Sequence, residues 1–245
     1  MRVFFGPENT EPVYKMLHDE VSPTHFDLHD PYDYCRGRAL ELAREEIGDL
    51  PGSIAEAGVL YGSFARLMNR LFPDRKLFLY DTFEGHSKED VGQASGNGYW
   101  RLDSGELEKG ECLDYFTQLY KEATREEFNA PEDIPPVQVA EYVIARMPFP
   151  ERCVPRVGRF PDTAAPDGEE RFAFVSLDMN FYKPMRAGLE FFYPRLHEGG
   201  VIFAHDYNNP SQPGVKHAVR DMEELFGPFK KFPLPDHSGT LVIVK

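Results

Sequence analysis

Short apolar runs alternate along this chain with amphipathic stretches, and this alternation constrains the possible folds more than any other feature of the sequence. The apolar runs, which we interpret as buried strands, lie at 53–55, 76–80, 172–177, 201–204 and 241–244. Apolar residues at helical spacing predict helices at 36–47, 64–72, 185–196 and 215–226. Unbroken apolar strands separated by helices are typical of a parallel sheet that is covered on both faces. We therefore predict an α/β fold with a Rossmann-like, doubly wound, mostly parallel sheet.

The alternation stops between residues 86 and 150. Five glycines between Gly92 and Gly110 punctuate a polar stretch there, and a sheet-like pattern resumes only near Val154. A structureless connection of this length is uncommon inside a compact domain. We expect a single domain over residues 1–245, with a lid or subdomain inserted at 86–150. The alternative is an appendage that serves packing or dimerisation and takes no part in the site.

The composition excludes several classes of partner. The chain has 245 residues and a formal net charge of −14. This excess of carboxylates repels nucleic-acid phosphates and anionic lipid headgroups, so we expect neither nucleic acid nor a membrane as partner. No apolar run reaches the ~18 residues of a membrane span, and we expect no signal peptide. The cysteines Cys35, Cys112 and Cys153 are widely spaced, which is typical of reduced thiols, so we expect a cytoplasmic protein.

A glycine-containing turn follows the first predicted strand, over residues 56–63. Gly58 and Gly62 allow a tight bend and a close approach to a ligand, and the following helix offers unpaired N–H groups. The spacing differs from the G-x-G-x-x-G pattern that holds a dinucleotide pyrophosphate. The acidic Glu56 also disfavours an anion at this place. Glycines that serve only a tight strand–helix turn remain the alternative interpretation.

A second acidic residue, Asp81, ends the second predicted strand, 23 residues after Gly58. A carboxylate at this position suits hydrogen bonds to ribose hydroxyls. An adenosine cofactor without a pyrophosphate fits both features, and S-adenosylmethionine also carries a sulfonium cation that suits an acidic pocket. His86 follows shortly afterwards, where a substrate contact and a surface position are the two alternatives.

Two more acidic residues follow predicted strands further along the chain. Asp178 follows the strand at 172–177, and Asp206 follows the strand at 201–204. If these strands are neighbours, both carboxylates emerge at the carboxyl edge of the sheet and can hold a divalent cation such as Mg²⁺. The alternative is that either aspartate caps the next helix or pairs with Lys183 or Arg186.

Residues 52–88 and 146–220 resemble the macrocin/mycinamicin O-methyltransferase family, the sugar-modifying enzymes of macrolide biosynthesis, which also has an aminocoumarin-antibiotic member. Several specific strings occur in the family's order. They are Gly52-Ser53-Ile54-Ala55-Glu56-Ala57-Gly58-Val59 with Gly62, Asp81-Thr82-Phe83-Glu84-Gly85, Met147-Pro148, Gly158-Arg159-Phe160-Pro161-Asp162-Thr163, Leu177-Asp178-Met179-Asn180-Phe181-Tyr182, and Gly199-Gly200-Val201-Ile202 leading into His205-Asp206-Tyr207. The resemblance covers roughly half of the chain and leaves out the first 35 residues and 92–144.

The resemblance implies a class I methyltransferase fold that binds S-adenosyl-L-methionine and Mg²⁺ or another divalent cation. It implies the following cofactor-binding residues: Glu56, Gly58, Gly62 and Ser63 at the methionine side, Asp81 and Thr82 at the ribose, and Gly158 and Asp162 in the loop that borders the adenine. The family's metal ligands are an aspartate that matches Asp178 and a later Asp-Asp pair. That pair is His205-Asp206 here, and the second acid of the family's Asp-x-Asp is Asn180.

These matches predict an S-adenosylmethionine-dependent, divalent-metal-assisted O-methyltransferase that acts on a sugar hydroxyl of a glycosylated metabolite or polysaccharide. We expect Asp178, His205 and Asp206 to bind the metal and Asp178 and His205 to be catalytic, with His205 either a ligand or a general base. The partner is then a small-molecule or glycan acceptor, and self-association is left open. A non-catalytic S-adenosylmethionine-binding relative and an NAD-dependent dehydrogenase are the alternatives.

Overall fold

The computed structural model describes residues 31–86, 90, 99–102, 105–108, 121–122, 125, 134–164, 170–210, 212–236 and 238–245. The strands are β1 (Ser53–Ala57), β2 (Leu77–Asp81), β3 (Tyr99–Leu102), β4 (Gly105–Glu108), β5 (Cys153–Val157), β6 (Phe172–Leu177), β7 (Leu196–Ala204), β8 (Lys230–Pro233) and β9 (Leu241–Val244). The α-helices are α1 (Pro31–Ile47), α2 (Ser63–Leu71), α3 (Pro136–Ala145), α4 (Tyr182–Arg195) and α5 (Pro213–Phe226).

Seven of these strands form one sheet in the order β5-β2-β1-β6-β7-β9-β8. The first five in this order run parallel, whereas β9 is antiparallel to β7 and β8 is antiparallel to β9. The direction of winding reverses beside β1, because β1 pairs with β2 on one side and with β6 on the other. Ligands bind in the crevice that such a reversal opens at the carboxyl ends of the strands. The predicted doubly wound, mostly parallel sheet is confirmed.

The core consists of two apolar layers, one on each face of the sheet. Successive side chains of a strand point to opposite faces, so in β1 Ile54 belongs to one layer and Ala55 to the other. Helices α1, α2 and α3 cover the first face, and α4 and α5 cover the second. Every residue of β1 and β6 is buried, which explains why both strands are mostly apolar in sequence.

Residues 86–150, the predicted insertion, are described only in part. Strands β3 and β4 form a separate antiparallel hairpin. Near the end of the segment, α3 packs its buried Val139, Ala140 and Val143 into the same apolar layer as α1 and α2. The glycine-punctuated stretch at 91–98 and the positions at 109–120 lie outside the described residues. The lid and the appendage therefore both remain predictions for that part.

Several elements differ from the sequence-based prediction. Helix α1 begins at Pro31, before the expected 36, and β3, β4 and α3 were not predicted. Strand β7 begins at Leu196, before the expected 201, because the chain enters the sheet directly from the end of α4. Strand β8 was not predicted, because Lys230-Lys231-Phe232-Pro233 contains no apolar run and pairs only with β9 at the edge of the sheet. Among the helices of the described residues, none combines the length and the apolar character needed to cross a bilayer.

Candidate functional site

A cavity of about 690 Å³ opens at the carboxyl edge of the sheet, beside the reversal at β1. Most of the predicted site residues line it: Glu56, Gly58, Ser63, Asp81, Thr82, Gly158, Asp178, His205 and Asp206. Two predicted cofactor-binding residues lie outside this lining. Gly62 directly precedes α2 and faces α3, and an added Cβ there would lie 2.6 Å from Val143 Cγ1. The side chain of Asp162 is 71% exposed and lies 3.6 Å from Arg159 Nη1.

Gly58 occupies the tightest point of the turn after β1. Its φ is +87°, and a Cβ there would lie 1.8 Å from the backbone oxygen of Asp178. The Gly58 N–H donates to the Tyr80 carbonyl at 2.9 Å, and the Asp178 N–H donates to the Ala57 carbonyl at 2.7 Å. These bonds continue the pairing of β1 with β2 and β6 into the site. A side chain at position 58 would separate those strand ends, so a glycine is required.

Asp81, at the end of β2, binds backbone N–H groups of two loops. Its Oδ2 accepts from Val59 at 2.6 Å and Leu60 at 2.9 Å, and its Oδ1 accepts from Phe83 at 2.7 Å. Leu60 and Phe83 both have a φ of +53°, an unfavourable conformation for residues with a side chain. The Asp81 carboxylate thus holds both loops in a strained shape at the cavity. Thr82 Oγ1 donates to the Gly85 carbonyl in the second of them.

Glu56 is a buried acidic side chain within β1, with 2% of its surface exposed. Its Oε2 has no hydrogen-bond partner among the described residues. Burial raises the pKa of Glu56 well above its usual value, although the nearby charge of Arg36 opposes the shift. A buried carboxyl of this kind favours the arrival of a cation, because a cation would supply the missing partner.

Asp178, His205 and Asp206 converge at the ends of β6 and β7. His205 Nδ1 lies 2.8 Å from Asp178 Oδ1 and 3.5 Å from Asp206 Oδ2. Burial alone would raise the pKa of Asp178, but His205 and Arg36 lower it to about 2. Burial alone would lower the pKa of His205, but the charge of Asp178 together with the polar contacts to Asp178 and Asp206 outweighs burial and raises the pKa to about 9. At neutral pH the two side chains form an ion pair.

Asp178 and Asp206 are both used in the site, and neither caps a helix. Asp178 pairs with Arg36 and His205, and neither α4, which begins at Tyr182, nor α5 has a side-chain cap. Asp206 is 4% exposed and accepts a hydrogen bond from Asn209 Nδ2 at 2.8 Å. Asp178, His205 and Asp206 form a group whose ligand atoms all lie within 4.8 Å of one another. This group matches the predicted metal ligands.

Arg36, on α1, is a site residue that the sequence analysis missed. Its Nη1 and Nη2 both lie 3.4 Å from Asp178 Oδ2, and Nη2 lies 3.4 Å from Ser176 Oγ. Its guanidinium is 3.9 Å from the ring centroid of Phe64. A signal was present in the sequence: Arg36 continues the apolar stripe of α1 that holds Leu40 at helical spacing, so it had to face the core.

Other side chains complete the cavity on the side of β2 and β5. His86, one of the open alternatives, lines the cavity with its ring centroid 4.9 Å from that of Phe181. Burial lowers the pKa of His86, which keeps the imidazole neutral. Arg159, next to Gly158, donates to both oxygens of Asp90, at 2.9 and 3.3 Å. This ion pair links the 86–150 segment to the loop after β5.

No family model and no curated protein matches the chain by sequence. Solved structures do match. The O-methyltransferase NovP aligns with a TM-score of 0.63 at 19% identity, covering 86% of this chain and 80% of that chain. The calicheamicin methyltransferase CalS11 aligns with a TM-score of 0.61 at 20% identity, covering 99% and 94%. Cofactor-bound Rv0187 from MTB aligns with a TM-score of 0.55 at 13% identity, covering 100% and 92%. This chain therefore has the Rossmann-like fold of class I methyltransferases.

Proposed function

We propose that this chain is an S-adenosylmethionine-dependent O-methyltransferase. The observation that carries the proposal is the acidic cavity at the reversal point of a class I methyltransferase sheet, where Glu56, Asp81 and Asp178 end or border three neighbouring strands. A carboxylate at the end of β2 suits a ribose, and the buried Glu56 suits a cationic ligand. NovP and CalS11 are described as methyltransferases, which agrees with this assignment.

The proposed acceptor is a sugar hydroxyl of a glycosylated metabolite or polysaccharide. CalS11 is described as a TDP-rhamnose 3′-O-methyltransferase, and the strings around Asp81 and Asp178 resemble the macrocin/mycinamicin family. The cavity of about 690 Å³ has room for a cofactor together with part of an acceptor.

In the proposed mechanism, the chain positions the acceptor and removes its proton. The cofactor, held by residues such as Glu56 and Asp81, would supply an electrophilic methyl group to the acceptor oxygen and would leave as S-adenosylhomocysteine. His205 Nδ1 faces Asp178 Oδ1 at 2.8 Å, which leaves Nε2 as the nitrogen to accept the hydroxyl proton. Because the pKa of His205 is about 9, the fraction of its basic form rises with pH over the neutral and mildly alkaline range.

The group of Asp178, His205 and Asp206 also fits a divalent cation. Metal–ligand bonds of about 2.1 Å place two ligands of one ion at most about 4.2 Å apart. The 4.8 Å spread of the three ligand atoms closes to that distance with a small side-chain adjustment. A cation held by these residues would polarise the acceptor oxygen. Its imidazole ligand broadens the choice of ion beyond Mg²⁺.

Calorimetric titration with S-adenosylmethionine and with NAD tests the proposed cofactor. We expect S-adenosylmethionine to bind and Asp81→Ala to weaken binding by about 1.5–3 kcal/mol, because hydrogen bonds to a charged group are lost. Asp162→Ala is the matched control: its carboxylate is exposed and outside the cavity, so the affinity should not change. Unchanged affinity in Asp81→Ala, or binding of NAD in place of S-adenosylmethionine, would contradict the proposal.

A further inference from the structure

Both oxygens of the Asp178 carboxylate already face positive groups of this chain. His205 lies 2.8 Å from Oδ1, and the two terminal nitrogens of Arg36 lie 3.4 Å from Oδ2. An ion bound to Asp178 would share the carboxylate with Arg36. Arginine keeps its charge at every pH at which a protein is folded, so this positive charge is permanent.

The Arg36 side chain is fixed in this place. It is 7% exposed, it packs over the Phe64 ring, and its Nε is buried without a hydrogen-bond partner within the described part of the chain. A buried guanidinium with an unpartnered nitrogen is costly, and its attraction to carboxylates is the compensation present in the site. It cannot move out to water without leaving the apolar layer between α1 and α2.

We propose, on the basis of the candidate cation site described above, that Arg36 is an internal counter-ion that competes with a divalent cation for Asp178 and so limits the affinity of the site. The group of Asp178, His205 and Asp206 is balanced by Arg36 when no ion is bound. Binding of an ion therefore requires Arg36 to give up part of its contact with Asp178 Oδ2.

Glu56 offers Arg36 a second carboxyl when Asp178 is taken. Glu56 is directly beside Ser176 in the β1–β6 register, and Arg36 Nη2 lies 3.4 Å from Ser176 Oγ. The Arg36 charge also lowers the pKa of Glu56 against the effect of burial, so the two side chains interact. In this proposal, Arg36 turns toward the unpartnered Glu56 oxygen when an ion takes Asp178, and the charge of Arg36 favours the ionised form of Glu56.

Titration of the purified protein with Mn²⁺, followed by calorimetry and by the electron paramagnetic resonance of free Mn²⁺, tests the proposal without measuring activity. Arg36→Gln and Arg36→Met should each bind Mn²⁺ at least about tenfold more tightly than the wild type. The repulsion between a divalent cation and a guanidinium on one carboxylate exceeds the free energy of a tenfold change even at a high effective dielectric constant. Arg44→Gln is the matched control on the same helix, because Arg44 binds the Leu71 and Gly48 carbonyls away from the cavity.

A double-mutant cycle tests the part played by Glu56. Glu56→Gln should weaken Mn²⁺ binding several-fold in the wild type and have little further effect in the Arg36→Gln background. Equal Mn²⁺ affinity in the wild type and both Arg36 variants would overturn the proposal, as would the absence of Mn²⁺ binding in all of them. Circular dichroism and thermal unfolding of each variant show that it is folded. Titration of the wild type with S-adenosylhomocysteine tests the methyltransferase proposal separately from the role of Arg36.

Discussion

Asp178 contacts the turn after β1 through its backbone and the charged groups of the site through its carboxylate. Its N–H continues the pairing with β1, its carbonyl is the atom that requires Gly58, and its carboxylate faces His205 and Arg36. A shift of the backbone at this position therefore moves the charged groups as well. The turn after β1 and the candidate cation site are one unit, although about 120 residues separate them in the chain.

Replacing Gly58 by alanine tests this connection. Because φ is +87° and the new Cβ would lie 1.8 Å from the Asp178 oxygen, the strand ends must separate. We expect Gly58→Ala to reduce the free energy of unfolding in urea by roughly 3 kcal/mol or more. Gly199→Ala is the control, since its φ of +83° is similar but no atom lies within 4 Å of the added Cβ. A loss in Gly58→Ala no larger than the ~1 kcal/mol of backbone strain expected in the control would contradict the steric argument.

The ion pair of His205 makes the stability of the fold depend on pH. The pKa of His205 rises from 6.5 to about 9 on folding, so the folded state holds the proton more tightly than the unfolded state. This stabilisation is complete below pH 6.5 and is lost as the pH rises through about 9. In chelator-containing buffer, we expect the free energy of unfolding of the wild type to decrease over this window. In His205→Asn the decrease should be clearly smaller, and identical slopes would contradict the assignment.

Among the helices, α2 is tied to the start of β5 by one polar side chain. Asn69 is 1% exposed, donates to the Phe149 carbonyl at 3.1 Å and accepts from the Phe149 N–H at 2.7 Å. The apolar layer that α2 packs into also contains residues of α3. The chain after α3 is therefore fixed to the main core before it reaches the edge strand β5.

Asn69→Ala should remove both bonds and leave the Phe149 N–H without its partner, whereas the Phe149 carbonyl keeps the Arg152 N–H at 3.1 Å. We expect a loss of roughly 1–3 kcal/mol in the free energy of unfolding, because an unsatisfied buried group costs about that much. Chemical denaturation measures it. Glu224→Ala, an exposed change on α5, should stay within about 0.5 kcal/mol. A loss in Asn69→Ala as small as in this control would show that the bonds to Phe149 are replaced by water.

At the scale of the whole molecule, the position of the cavity follows from the strand order. Strands β2 and β6 flank β1 on opposite sides and their connections leave on opposite faces, so a crevice opens at their carboxyl ends. The residues that follow those strands, Asp81 and Asp178, enter the crevice for that reason. The same geometry admits many chemistries, and the proposed methyl transfer depends on the charges placed there.

The sequence by itself determined the sheet and the strand-end residues. Buried parallel strands are mostly apolar, and residues near their carboxyl ends lie at the sheet edge, so Glu56, Asp81, Asp178 and Asp206 could be placed from local pattern. His205 was identified through the family resemblance. Gly58 was identified because a tight strand–helix turn needs a left-handed residue. All of these inferences depend on the residue pattern within a strand and on the residues at its carboxyl end.

Only the tertiary structure decided which distant groups meet. Helical spacing places Arg36 on the buried face of α1, but no local pattern specifies its contacts with Phe64 and Asp178, which follow from the packing of α1 against α2. Gly62 and Asp162 belong to the matched motifs but do not line the cavity. Gly62 faces Val143, and the Asp162 side chain is exposed to solvent. The pKa values of His205 and Glu56 likewise depend on burial and on charges from other strands. Local sequence sets backbone periodicity, whereas side-chain partners and electrostatics follow from packing between elements that are far apart in the chain.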